Sequence, residues 1–225
     1  MNQLAFTTPR TARFYSLGEP GPAIQHVWFC LHGHQLPAAN LAAQLVKLDT
    51  PERLLILPEA LSRYAPAAGA GPPPADQAVW FAPDSQAADL ADAAQYLDRL
   101  AAETLAACPP GTPVTILAYG HSAAVACHWL ANSGLTYERL VFYAAVFPPS
   151  LSRRGLLTAL PRRPVTVVTT TAAEFTAEAD GSALLRRLLE TGHAARLSYA
   201  DEGPLTLAAL GAGAEGHPGH TTSEH

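Results

Sequence analysis

Residues 114–150, VTILAYGHSAAVACHWLANSGLTYERLVFYAAVFPPS, constrain the fold of this chain more than any other stretch. A run of β-branched and aliphatic residues, Val114 to Tyr119, stops at a glycine, and a helix-length run of small residues, His121 to Asn132, follows at once. A second apolar run, Arg139 to Tyr143, then ends before Pro148-Pro149. Strand, tight turn, helix and strand in that order form a crossover unit, and crossovers pair their strands in parallel. The same alternation runs through the chain. Gln25 to Leu31, Arg53 to Leu57, Pro164 to Thr170 and Ala195 to Tyr199 read as further strands. Pro37 to Leu48, Ser85 to Ala107, Gly181 to Thr191 and Pro204 to Leu210 have helix length and composition. Leu4 to Leu17 reads as one or two edge strands, and Ala65 to Ala78 (APAAGAGPPPADQA) as a flexible loop. The expected architecture is α/β: one domain over residues 1–210, with a mostly parallel central sheet and helices on both faces. Residues 211–225, rich in glycine and polar side chains, read as a disordered tail.

Charge and composition exclude several classes. With 14 Lys plus Arg against 19 Asp plus Glu and a net charge of −5, no basic stripe is available to displace counterions, and no nucleic-acid partner is expected. The N-terminal residues lack the apolar core of a signal peptide, and no run is long enough to cross a bilayer, so a soluble, cytoplasmic protein is expected. Cys30, Cys108 and Cys127 lie in apolar patterns without paired spacing and read as buried thiols. No metal-ligand spacing and no Gly-rich phosphate loop appears, and no cofactor is expected. The oligomeric state is not legible.

Ser122, in Gly120-His121-Ser122-Ala123-Ala124, fits the loose Gly-x-Ser-x-small form of a nucleophile elbow. A second register, Ala118-Tyr119-Gly120-His121-Ser122, fits as well and puts Gly120 at the nucleophile position, where no side chain can attack.

The chain resembles the phospholipase/carboxylesterase family of α/β-hydrolases, the group that includes acyl-protein thioesterase-like enzymes, over roughly residues 24 to 210. Leu31-His32-Gly33 is similar to the family's LHG oxyanion-loop motif, and Leu57 to Tyr64 (LPEALSRY) to its PE-x-LSRF segment. Trp80-Phe81 stands where the family has Trp-Met, and His128-Trp129-Leu130 and Phe147-Pro148-Pro149 match its RWL and FPP blocks. The resemblance implies an α/β-hydrolase fold and hydrolysis of carboxylic or thioester bonds. Sliding the family elbow, Gly-Phe-Ser-Gln-Gly, onto this chain without a gap and anchored at Trp129 puts its serine on Gly120, its glutamine on His121 and its second glycine on Ser122. Placing Ser122 in the role needs a two-residue deletion, which turns the following helix by about 200°.

The partner positions implied by the resemblance are unmatched as well. A serine attacks only when a histidine takes its proton and an acid fixes that histidine. The family's Gly-x-x-Asp-Glu-Phe acid falls on Thr170-Thr171-Ala172-Ala173-Glu174-Phe175, with alanine at the aspartate position and Glu174 one residue on. The family's Gly-His base falls on Tyr199 to Leu205 (YADEGPL), which holds no histidine. Gln35 stands where LHG-x-G has its second glycine.

The remaining candidates divide as follows. His34, with His121 and Ala123, would offer backbone N–H groups to an oxyanion. His121 alternatively caps its helix. His32 reads as a residue that orients the oxyanion loop, and Trp80 and Phe81 as either an acyl-pocket wall or packing. His128 reads as structural, His193 as a surface residue, and His217 or His220 as a base only if the tail folds back. Asp84, Asp89, Asp92 and Asp98 read as the N-terminal charge and solvated face of one helix. The expected function is therefore a carboxylesterase-type hydrolase by descent with an impaired or absent triad, keeping a site for a small acyl ester or other hydrophobic ligand. Two alternatives stay open: an active serine esterase using Ser122 with Glu174, and a non-catalytic protein-interaction module using the emptied cleft or the 65–78 loop.

Overall fold

The computed structural model describes residues 6, 8–64, 77–170, 180–200 and 210. Nine strands and five helices follow one another as β1 (Phe14–Leu17), β2 (His26–Leu31), α1 (Ala38–Leu45), β3 (Arg53–Pro58), β4 (Ser62–Tyr64), β5 (Gln77–Val79), α2 (Gln86–Ala106), β6 (Val114–Tyr119), α3 (Ser122–Asn132), β7 (Arg139–Tyr143), α4 (Arg153–Ala159), β8 (Val165–Thr170), α5 (Gly181–Glu190) and β9 (Ala195–Ala200) among the described residues. A 3-10 turn, Val46–Leu48, extends α1. Seven strands form one sheet in the order β1-β3-β2-β6-β7-β8-β9, parallel throughout except for the antiparallel edge strand β1. The remaining two strands form a small antiparallel hairpin, with Tyr64 opposite Gln77.

The central strands are apolar without interruption because both faces of the sheet are covered. In β2, Val27, Phe29 and Leu31 enter the core shared with α2 and α3, while Trp28 and Cys30 face the core under α1. Helix α3 buries Ala123, Ala124, Val125, Ala126, Cys127, Trp129 and Leu130. Its small residues bring its backbone close to the sheet, and Trp129 supplies the one large anchor. The Trp129 ring meets Phe29 edge-on at 6.0 Å, and its Nε1–H donates to Asp98 Oδ1 at 2.7 Å. Asp98 also accepts from Ser133 Oγ.

The structure corrects several sequence expectations. Asp98 is not on a solvated face; it ties α2 to α3. Asp84 precedes α2 instead of lying on it, whereas Asp89 supplies the expected negative charge in the first turn, accepting from Ala82 N (2.9 Å) and Ser85 Oγ (2.6 Å). His193 is buried rather than on the surface, at 3 % exposure, against Thr191 Oγ1 and Arg162. Gln77 and Ala78, read as loop, begin β5. The rest of that loop (65–76), the 204–210 helix except Leu210, and the tail lie outside the described residues. Cys30, Cys108 and Cys127 are free and buried, and burial raises the pKa of the Cys30 and Cys127 thiols.

Candidate functional site

The carboxyl ends of parallel strands are where α/β sheets place ligands. Here the ends of β2 and β6 lie side by side, Leu31 opposite Ala118, and each runs into a glycine, Gly33 and Gly120. Gly33 lies so close to the Tyr119 ring that a Cβ there would sit 2.8 Å from Cδ1, so only glycine fits without a shift. Gly120 has φ +60°, in the left-handed region. Its N–H donates to Tyr143 O (2.9 Å), and its carbonyl accepts from Val146 N (3.0 Å) and Ala123 N (3.2 Å). These bonds fix the turn between β6 and α3. A Cβ built on Gly120 meets only Gly33 Cα, at 3.8 Å, which is ordinary contact.

Two residues on, Ser122 is the first residue of α3 and is 0 % exposed. Its hydroxyl donates to Tyr119 O (2.9 Å) and Leu31 O (3.0 Å), sharing one hydrogen between two backbone carbonyls. The group stitches the start of α3 to the ends of β2 and β6.

His32 is fully buried, and both its nitrogens are committed. Nδ1–H donates to Gly33 O at 2.7 Å, and Nε2 accepts from Ala60 N–H at 2.9 Å, which assigns the neutral Nδ1–H tautomer. Burial is the main cause that lowers its pKa to about 4; the Gly33 carbonyl opposes the shift and neighbouring His34 adds to it. Trp80 stacks on the imidazole at 4.9 Å and donates Nε1–H to His32 O at 2.8 Å. The LPEALSRY segment thus supplies the Ala60 amide that orients His32. Within it, buried Glu59 lies 3.2 Å from Arg63 Nε, an ion pair that lacks hydrogen-bond geometry. Trp80 and Phe81 are 4 % and 9 % exposed and belong to the core under α2 and α3.

Outside this packed floor, His34 is exposed and His121 half-buried, and their rings face each other at 4.9 Å with a 41° tilt. Desolvation lowers the His34 pKa. His121 stands at the N-cap of α3, yet its side chain makes no capping hydrogen bond. Gln35 adopts φ +56°, the left-handed conformation that suits glycine.

Several solved structures share this fold. Esterase PE8 superposes with a TM-score of 0.63 at 16 % identity, over 90 % of this chain and 95 % of that one. A phospholipase/carboxylesterase from Dyadobacter fermentans gives 0.60 at 13 % identity, over 91 % and 95 %. SOBER1 of Arabidopsis thaliana gives 0.59 at 14 % identity, over 83 % and 94 %. The fold is that of an α/β-hydrolase. No protein-family model and no curated protein matches the chain.

In an α/β-hydrolase the nucleophile sits on the sharp, strained turn between strand and helix. The left-handed residue of that turn here is Gly120, while Ser122 is already helical. Glu174, the candidate acid, lies outside the described residues, as do His217 and His220. Among the described residues, no group of three or more His, Cys, Asp and Glu is placed to hold a metal ion, and no helix is long and apolar enough to cross a membrane. A groove of about 760 Å³, lined in part by Leu105, Pro110, Ser133, Tyr137 and Arg163, opens at the opposite end of β6, beside Val114. It is remote from the elbow and plays no part in this site.

The sequence grouped His34 and His121 as backbone donors to one oxyanion, but the facing of their rings was not legible in it. The same holds for the anchoring of His32 by Ala60. The left-handed turn at Gln35 did leave a signal: the residue stands where the resembled pattern has glycine.

Proposed function

We propose that this chain is an α/β-hydrolase-fold protein without a covalent nucleophile, which binds a small acyl ester or carboxylate-bearing hydrophobic ligand over Gly120 and turns it over weakly or not at all. The observation that carries this reading is the pairing of Gly120 and Ser122. The left-handed turn falls on a residue with no side chain, and the nearby hydroxyl is buried and spent on two carbonyls. A hydroxyl with no access to solvent and no imidazole partner among the described residues is not activated for attack. His32 is a poor base as well, because both its nitrogens are engaged and burial, by lowering its pKa to about 4, weakens it as a proton acceptor. The room left at Gly120 supports ligand binding over a role as a filled interaction surface. The esterases and phospholipase/carboxylesterase among the structural neighbours support the acyl class.

The test combines binding and turnover. Octanoate and p-nitrophenyl butyrate are given to the wild type and to Gly120→Asn, which fills the space with the residue that best tolerates a left-handed conformation after glycine. The expected result is an octanoate-dependent rise in Tm that disappears in Gly120→Asn, with ester turnover at background in both. Turnover well above background that vanishes in Ser122→Ala would overturn the proposal in favour of a serine esterase. Absence of any ligand-dependent shift in folded wild type would overturn the ligand assignment.

A further inference from the structure

Helices α2 and α3 end at the same place, where β6 begins, and a groove opens between their ends. Helix α2 runs to Ala106 and α3 to Asn132. The cavity of about 760 Å³ beside Val114 is lined by Leu105, at the end of the first, and by Ser133 and Gly134, just past the end of the second. Its apolar surface comes from Ala101, Leu105, Val114, Leu135 and Tyr137, of which Leu105 and Leu135 are half-buried and pack on the core. The volume falls in the range of small-molecule sites, about 300–1,000 Å³. We propose that this groove binds a small organic cation, an apolar body that carries one ammonium group.

The charge around the groove selects that ligand. Asp98 and Glu138 line it against one basic residue, Arg163. The C-terminal end of a helix carries the negative end of its dipole, and neither α2 nor α3 has a basic residue in its last turn to offset it. Asp98 Oδ1 accepts from Trp129 Nε1–H and Ser133 Oγ, while Oδ2 accepts no hydrogen bond from a described residue. The carboxylate is thus tethered through one oxygen and keeps the other for an ammonium N–H, a charge-assisted bond. The wall from Pro109 to Pro113 is preformed. Three of its five residues are proline, with φ fixed, and Thr112 closes the turn by donating its N–H and its hydroxyl to Pro109 O, at 3.2 and 2.7 Å. A fixed wall and a tethered carboxylate lower the ordering cost of binding. The groove lies at the opposite end of β6 from Gly120, so this inference does not depend on the acyl ligand proposed above.

Hexylamine and hexanoate, probes of similar size and opposite charge, are titrated into the isotope-labelled full chain, and backbone amide shifts are followed by NMR for the wild type, Asp98→Asn and Ala102→Arg. Asp98→Asn keeps an oxygen acceptor for Trp129 and Ser133 and removes the charge. Ala102 is exposed on α2 and lines the groove, so arginine there fills the space with a cation and leaves the core untouched. This variant keeps the test decisive if Asp98→Asn does not fold. The expected result is saturable hexylamine binding with shifts centred on Gly111, Gly134 and Thr136 and none at Gly120, and weaker binding of hexanoate there. Hexylamine affinity should fall at least about fivefold in Asp98→Asn and be lost in Ala102→Arg. No saturable hexylamine binding by the wild type, equal or tighter binding of hexanoate in the groove, or unchanged hexylamine affinity in Ala102→Arg or in folded Asp98→Asn would overturn the assignment.

Discussion

Replacing Ser122 by alanine separates a structural hydroxyl from a nucleophile. The Ser122 side chain is 0 % exposed, and its one hydrogen is shared between Tyr119 O at 2.9 Å and Leu31 O at 3.0 Å. A neutral buried hydrogen bond contributes about 1 kcal/mol net, and the two carbonyls lose a common donor when it goes. Ser122 is the first residue of α3, where alanine's helix propensity recovers a few tenths of a kcal/mol. The variant should therefore be about 1 kcal/mol less stable, with Tm lower by about 2–4 °C for a protein of this size and with an unchanged denaturant m-value. Urea unfolding followed by tryptophan fluorescence gives the stability, and p-nitrophenyl butyrate hydrolysis by the same preparation gives the activity. The reasoning predicts a stability loss with basal turnover unaltered. A fall of about 100-fold in turnover with stability intact would refute it, because that pattern belongs to a residue acting in the transition state.

Four further outcomes follow from the same contacts. Asp98→Ala removes the acceptor for Trp129 Nε1–H and Ser133 Oγ and should cost about 2–3 kcal/mol in urea unfolding, since bonds to a charged acceptor are the stronger kind. Gln35→Gly relieves a left-handed cost of about 1–2 kcal/mol while adding flexibility to the unfolded chain, and should raise stability by about 0.5–1 kcal/mol. Gly33→Ala drives a Cβ into the Tyr119 ring and should cost about 1–3 kcal/mol and reduce ligand binding, read by thermal shift. His193 has its folded pKa lowered, mainly by desolvation and further by Arg162, so its neutral form is the one that folds. Its contribution is complete above the unfolded pKa near 6.5 and is lost as pH falls below it; the stability difference between pH 7.5 and pH 5.5 should be smaller in His193→Gln.

The fold was legible to the extent that hydrophobic runs and breakers determine it. Strands β2, β3, β6, β7, β8 and β9 lie within a residue of their expected bounds, because both faces of a parallel sheet demand uninterrupted apolar side chains. Helix α4 went unread although Ser152 caps it, accepting from Gly155 N, and Pro161 follows its end. Seven residues give too short a period to stand out against the loop around them. The β4–β5 hairpin escaped because its strands are three residues each and flank a Pro/Gly-rich stretch. The half-buried position of Asp98 and the burial of His193 depend on partners far along the chain, and no local pattern encodes such contacts. At the site, both elbow registers fit the motif as text, the spacing to Trp129 favours Gly120 without a gap, and the two differ as geometry. A left-handed φ at Gly120 and a helical Ser122 come from where the strand stops and the helix begins, which a motif does not record.

The most direct test of the account is intact-protein mass spectrometry after exposure of folded wild type to a fluorophosphonate probe, with peptide mapping of any adduct. The account predicts that the mass stays that of the unmodified chain while the sample still unfolds cooperatively. A stoichiometric adduct mapped to Ser122 would contradict it, since the buried hydroxyl would then be a working nucleophile.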